Sequence, residues 1–384
     1  MTPVEEGGHG MTGAGRAADG IGADVKAPDT TGPVSPAPVS PPAERAPAVN
    51  SAGLTKNDYR GLPSTLCPGC GHDSISSRII DACYQLGVKP HQVLKLSGIG
   101  CSSKSPAYFL NGAHGINTVH GRMPSVATGA MLAQRNHLAL AVSGDGDSGS
   151  IGLGQFKHVI RRNVPMVFII ENNGVYGLTK GQFSATADEG QRLKAVGLNE
   201  LPALDLCAEA IVAGAGFVAR SFAGDARQVT ELLKAAIRFG GTAIIDVVSP
   251  CVTFNNHDES TKSYSYGKAH EVPIHDVTFV PDFEEIRVDY APGEVVTVQL
   301  HDGPAVQLRK LDREYDPTDR LGALRLIEEG QRAGQLITGL LYIDPGRRTL
   351  LDTTHIVPTP LALLPETLTR PSRESLREVM AQFR

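Results

Sequence analysis

Four apolar runs of strand length, each ending in a turn built from Gly, Asp, Asn, Ser or Cys, constrain this chain more than any other feature. Residues 93–96 run into Ser97-Gly98-Ile99-Gly100-Cys101, and 138–142 into Ser143-Gly144-Asp145-Gly146-Asp147. Residues 165–170 run into Glu171-Asn172-Asn173-Gly174, and 243–248 into Ser249-Pro250-Cys251. Unbroken apolar runs of this length read as strands buried on both faces. Helical stretches separate them: Ile75, Ile79, Ala82, Cys83 and Leu86 mark one face, with further helices around 153–160 and 229–239 and another strand at 217–220. The alternation predicts an α/β fold, a doubly wound and mostly parallel sheet. Ligands of such sheets bind outside the carboxyl ends of the strands. All four turns fall at that edge, so they belong to one site.

The flanks differ from this middle. Residues 1–50 hold eight Pro and eight Gly with no aromatic residue, a composition that cannot bury enough surface to offset its ordering entropy. Residues 1–53 are therefore expected to be a disordered tail and 54–270 the binding domain. Residues 271–384 are expected to form a small α+β extension packed on the core or on a partner. It holds a hairpin of 295–300 and 305–311 around His301-Asp302-Gly303-Pro304, a helix over 321–333 and a terminal helix over 372–383. With 36 basic against 41 acidic residues, nothing suggests nucleic-acid or anionic-membrane binding. The chain has neither a long apolar run nor a secretory leader pattern, so a cytoplasmic location is expected.

Two groups of residues carry chemistry. Gly144-Asp145-Gly146 at one strand end and Asn173 at the next suit a diphosphate and its cation. The glycines admit close backbone approach, a helix from about Ile151 can turn its amides to the anion, and Mg²⁺ takes a few protein oxygens and completes its shell with phosphate and water. Asp145, Asn173 and the Val175 carbonyl supply such oxygens. The second group is the turn-borne cysteines: the pair Cys67-Pro-Gly-Cys70, then Cys101 and Cys251. Cys83 and Cys207 lie on apolar helical faces and read as core residues. Four turn cysteines suit an iron–sulfur cluster or a structural zinc, and Cys67/Cys70 alone would suit a dithiol. Proximity to the diphosphate turn favours the cluster.

Several segments, in the same order, resemble the β subunits of thiamine-diphosphate-dependent 2-oxoacid:ferredoxin oxidoreductases, most closely the 2-oxoglutarate type. They are Cys67-Pro-Gly-Cys-Gly-His72, Ser97-Gly-Ile-Gly-Cys101-Ser102, Val119-His-Gly-Arg122, Gly144-Asp-Gly-Asp147, Asn172-Asn-Gly-Val-Tyr-Gly-Leu-Thr-Lys-Gly-Gln182 and Ser249-Pro-Cys-Val-Thr-Phe-Asn255. The resemblance spans about 54–270 and implies a thiamine-diphosphate-binding fold. It implies that Asp145, Asn173 and Val175 hold Mg²⁺. Ile99, Gly100, Cys101, Ser102, His120, Gly146, Asp147, Gly177 and Leu178 would line thiamine diphosphate, and Cys67, Cys70, Cys101 and Cys251 would hold one [4Fe–4S] cluster. Lys104 and Lys180 are candidates for a distal substrate carboxylate or the phosphates of coenzyme A, and His120 for neutralising diphosphate or relaying a proton.

The implied reaction is CoA-dependent oxidative decarboxylation of 2-oxoglutarate to succinyl-CoA, with electrons leaving through the cluster to ferredoxin. A pyruvate or branched-chain 2-oxoacid enzyme is the nearest alternative, then a non-redox thiamine carboligase or decarboxylase, then a zinc-stabilised binding module. Only one doubly wound unit fits within 54–270. The resemblance implies that the domain supplying the acid partner of the aminopyrimidine ring belongs to a separate α subunit, in an α₂β₂ assembly.

Overall fold

The computed structural model describes residues 48–194, 196–256, 260–273, 295–299, 305–309 and 315–383. The tail over 1–47, and the hairpin turn at 301–304, lie outside the described residues. Asn50, assigned from sequence to the tail, is tied to the body: its amide donates to Tyr59 Oη at 2.7 Å and to the Tyr84 carbonyl at 2.8 Å.

Eight strands form the main sheet: β1 Val93–Ser97, β2 His114–Asn117, β3 Leu138–Gly144, β4 Met166–Asn172, β5 Phe217–Phe222, β6 Thr242–Val248, β7 Glu271–Pro273 and β8 Leu336–Ile343. Their spatial order is β7-β8-β5-β6-β4-β3-β1-β2. The pairs from β2 through β5 are all parallel, whereas β8 runs antiparallel to β5. β1, β3, β4, β5 and β6 are buried along nearly their whole length, which is why they read as unbroken apolar runs.

Alternate residues feed two cores. Leu94, Leu96, Ala139, Ala141, Phe168 and Ile170 face one layer of helices, α2 Met123–Ala133, α3 Leu153–Arg162, α4 Leu206–Val212 and α6 Arg320–Arg332. Val93, Leu140, Val142, Val167 and Ile169 face α1 Gly71–Gln85 and α5 Ala226–Phe239 on the other side. Helix α5 shows the local logic. Asp225 caps it by accepting from the Gln228 amide, Val229, Leu232, Leu233 and Ala236 form its buried stripe, and Gly240 at φ +79° ends it in the left-handed region. Each large apolar side chain buried this way contributes about 1.5–3 kcal/mol.

The chain leaves β1 for β2 on one side and returns to β3 on the other, so the topology reverses between β1 and β3. Crevices at such reversals are where open α/β sheets take ligands. β8 is a finding that sequence reading did not anticipate. The run Leu336-Ile-Thr-Gly-Leu-Leu-Tyr-Ile343 joins the main sheet, and α6 buries Ala323 and Ile327 beside it.

Candidate active site

The carboxyl ends of β1, β3 and β4 enclose a cavity of about 480 Å³. Ile99, Gly100, Cys101 and Ser102 form one wall, His120 and Gly144 to Asp147 a second, and Glu171, Asn173 and Val175 to Thr179 a third, with His72 below. Every residue expected around thiamine diphosphate, and all three expected at Mg²⁺, line this one cavity. Lys104 and Lys180 do not line it. Lys104 lies close enough to act electrostatically on Cys101; Lys180 is exposed, with φ +75°.

The strand β3 ends directly in a widened helical turn, Gly146–Ile151, that continues into α3. The helical amides therefore begin at Gly146, closer to the strand than the start near Ile151 that the sequence suggests. Widened turns of this kind recur at functional sites. Asp147 locks the crevice together: it accepts from His120 Nδ1, from the Gly121 amide at 2.6 Å and from Ser143 Oγ at 2.5 Å. A Cβ on Gly98 would come within 1.7 Å of Asp147 Oδ2, so only glycine lets the β1 turn approach this carboxylate.

Asp145 is 1% exposed. Its Oδ2 accepts from Ser184 Oγ, from Thr186 Oγ1 at 2.6 Å and from the Gly174 amide at 3.1 Å. Its Oδ1 has a single long contact, the Asn173 amide at 3.4 Å. Burial pushes the carboxyl up from its ordinary range, and the hydrogen bonds oppose that shift. One anchored oxygen and one nearly free oxygen, buried in a cavity with Asn173 and the Val175 carbonyl, fit a hard cation.

Two residues that line the cavity were given no role from sequence. Glu171 is fully buried and accepts from Ser105 Oγ at 3.0 and 2.9 Å, and burial raises its carboxyl well above the usual range. His72 is 1% exposed, and burial pulls its ring down to about 4, so it is neutral. The Asn173 amide donates to Nε2 at 3.4 Å, which leaves the ring proton on Nδ1, 2.6 Å from Ser249 Oγ. His72 was visible within the Cys67–His72 segment; Glu171 offered no spacing signal.

The four turn cysteines converge on one side of this cavity. The Gly71 amide donates to the Pro250 carbonyl at 3.2 Å, and Thr253 Oγ1 contacts Cys67 Sγ at 3.5 Å. A Cβ on Gly177 would lie 3.4 Å from Cys101 Sγ and 3.7 Å from Cys251 Sγ. Burial, followed by the mutual effect of neighbouring acidic groups, pushes the Cys70 thiol up to about 12 and raises that of Cys101. Such thiols become thiolates only with a strongly positive partner. Among the described residues no three His, Cys, Asp or Glu side chains converge as a single metal ion requires. Cys83 and Cys207 are fully buried in the two cores.

Residues 98–247 match the family profile described as "Thiamine pyrophosphate enzyme, C-terminal TPP binding domain". A 2-oxoacid:ferredoxin oxidoreductase β subunit of Sulfolobus sp is 41% identical over 223 residues, 57% of this chain and 70% of that protein. The 2-oxoglutarate synthase subunit KorB of Methanocaldococcus jannaschii is 37% identical over 194 residues, 50% of this chain and 71% of its own length. A solved 2-oxoglutarate:ferredoxin oxidoreductase from Magnetococcus marinus, bound to 2-oxoglutarate, coenzyme A and succinyl-CoA, superposes with a TM-score of 0.66 at 28% identity. That superposition covers 86% of this chain and 96% of the other. At this identity and coverage, with the sheet and cavity described above, the chain belongs to the family of 2-oxoacid:ferredoxin oxidoreductase β subunits.

Proposed function

We propose that this β subunit serves the CoA-dependent oxidative decarboxylation of 2-oxoglutarate to succinyl-CoA, with ferredoxin as electron acceptor. The observation that carries the reading is the single cavity at the β1/β3 reversal, with the cysteine turns on its flank. Likeness to KorB proteins named for 2-oxoglutarate, and to the Magnetococcus enzyme solved with 2-oxoglutarate bound, supports that acid as substrate rather than pyruvate or branched-chain acids.

Thiamine diphosphate supplies the decarboxylation chemistry and a [4Fe–4S] cluster a one-electron acceptor. Asp145 Oδ1, Asn173 and the Val175 carbonyl are the groups that would hold Mg²⁺. Gly146 lets the Tyr176 ring close in, where a Cβ would come within 2.5 Å of it, and the first amides of the Gly146–Ile151 turn are the donors that would face the diphosphate. Asp147 orients His120 at the rim. Cys67, Cys70, Cys101 and Cys251 would hold the cluster, and Cys101 belongs to both sites, which keeps the electron path short. Lys104 and Lys180 stand outside the cavity, where they suit the distal carboxylate or the CoA phosphates as these enter.

The chain works with an α subunit, in an α₂β₂ assembly that supplies the acid partner of the aminopyrimidine ring. Six free thiols suit the reducing cytoplasm. Among the described residues no helix is long and apolar enough to cross a membrane.

Reduction of ferredoxin by the purified complex, with a panel of 2-oxoacids and CoA, tests the reading. The expected result is CoA-dependent reduction fastest with 2-oxoglutarate. Equal rates with pyruvate would overturn the substrate assignment, and thiamine turnover without ferredoxin reduction would overturn the redox one.

A further inference from the structure

A second, larger cavity of about 960 Å³ opens at the carboxyl ends of β4 and β6, and Asn172, Thr186, Asp205, Arg220 and Asp246 are among its walls. A buried polar chain joins it to Asp145. Arg220 Nε donates to Asp246 Oδ2 at 3.2 Å, and Asn172 Nδ2 donates to Asp246 Oδ1 at 3.0 Å. This turns Asn172 Oδ1 toward Thr186, whose Oγ1 lies 2.8 Å from it and 2.6 Å from Asp145 Oδ2. A hydroxyl carries one proton. Thr186 therefore donates to Asp145 or to Asn172, not to both at once.

We propose that Thr186, seconded by Ser184, is a positioning residue for the cation site. It fixes Asp145 Oδ2 so that Oδ1 faces the cavity, and the competing Asn172 acceptor weakens that grip. This rests on the Mg²⁺ reading of Asp145. Two substitutions should then act in opposite directions. Thr186→Val keeps the shape and removes the donor. Asn172→Ala removes the competitor and leaves the Thr186 proton to Asp145 alone. A residue that only supported the fold would weaken the site in both variants, in step with lost stability.

The test is titration of Mg²⁺ into the full-length chain in its purified complex with thiamine diphosphate present, followed by calorimetry, with thermal unfolding recorded alongside. Thr186→Val should weaken Mg²⁺ binding by about 10- to 100-fold, the loss of a hydrogen bond to a charged group. Thr186→Ser should restore it to within about threefold, and Asn172→Ala should bind as tightly as the native chain or tighter. If Thr186→Val does not fold, Ser184→Ala gives the same readout with Thr186 in place, again as weakened binding. Native affinity in the Thr186→Val or Ser184→Ala protein, or equal weakening by Asn172→Ala, overturns the proposal. Asp145→Ala serves as the separate control: if it still binds Mg²⁺ normally, the cation reading itself fails, whatever the threonine does.

Discussion

The Gly71 amide donates to the Pro250 carbonyl at 3.2 Å, joining the Cys67–Cys70 turn to the turn that carries Cys251, although the two are far apart in sequence. The start of α1 and the end of β6 are thus held as one unit.

Loss of Cys251 should therefore cost the cluster without unfolding the chain. Cys251→Ser is expected to lose most of its iron and acid-labile sulfide. Cys83→Ser and Cys207→Ser should keep theirs and pay only in stability, by about 1–3 kcal/mol for a buried hydroxyl. Iron and sulfide analysis beside chemical denaturation checks this, and an iron-free Cys207→Ser protein would contradict the ligand set.

Gly177 offers a subtler probe. A methyl group there meets nothing nearer than 3.4 Å in the polypeptide, so Gly177→Ala should fold with near-native stability. The space it fills lies against the Cys101 and Cys251 sulfurs, where the proposed cluster would sit. Lower iron occupancy, or a changed electron paramagnetic resonance spectrum after reduction, is the expected outcome; a native spectrum at full occupancy would move the cluster elsewhere.

Specificity should reside partly in a cation at the rim. If Lys104 or Lys180 meets the distal carboxylate of 2-oxoglutarate, its change to Met costs roughly 2–4 kcal/mol, about 30- to 1000-fold in kcat/KM. Pyruvate has no such carboxylate and should lose far less. A lysine that binds CoA phosphates would instead depress both substrates and raise the KM for CoA. Unchanged preference in both variants would assign the discriminating cation to the α subunit.

Lys95 gives a pH dependence with a definite sign. It is 7% exposed, and its ammonium donates to the Pro106 carbonyl at 2.7 Å and the Phe109 carbonyl at 2.8 Å, closing the turn that follows Cys101. Burial pulls it down to about 8 from 10.5. Between these values the unfolded chain binds the extra proton, so native stability attributable to Lys95 rises with pH across that window and falls as pH drops through about 8. Compared with Lys95→Met, the native chain should gain stability between pH 8 and 10.5; denaturation curves showing a constant difference would refute this.

Much of this site was legible because strand ends punctuate a parallel sheet. Gly144-Asp145-Gly146 and Asn173 marked strand ends that line the cavity, and the turn cysteines separated from Cys83 and Cys207 by helical periodicity alone. Ser184 and Thr186 were not legible. They sit in a loop with no periodic pattern, and only the fold brings their hydroxyls to Asp145. Glu171 was hidden for a different reason: it ends an apolar strand, where one polar residue reads as the start of a turn, and its burial depends on Ser105 from another element. β8 was missed because its run lies beyond the segments with chemistry, after a stretch that reads as an appendage. It is an antiparallel addition to a sheet whose pattern elsewhere is strand–helix alternation.

The backbone of Lys180 has an implication for anyone who would stabilise this enzyme. At φ +75° a side chain costs roughly 1–2 kcal/mol that glycine does not, so a search for higher melting temperature should select Lys180→Gly. The cation at the mouth of the cavity would vanish in the same step. On the proposed role of Lys180 in meeting the substrate, thermal robustness and recognition would compete for one residue, and a screen scored on heat alone would discard that cation.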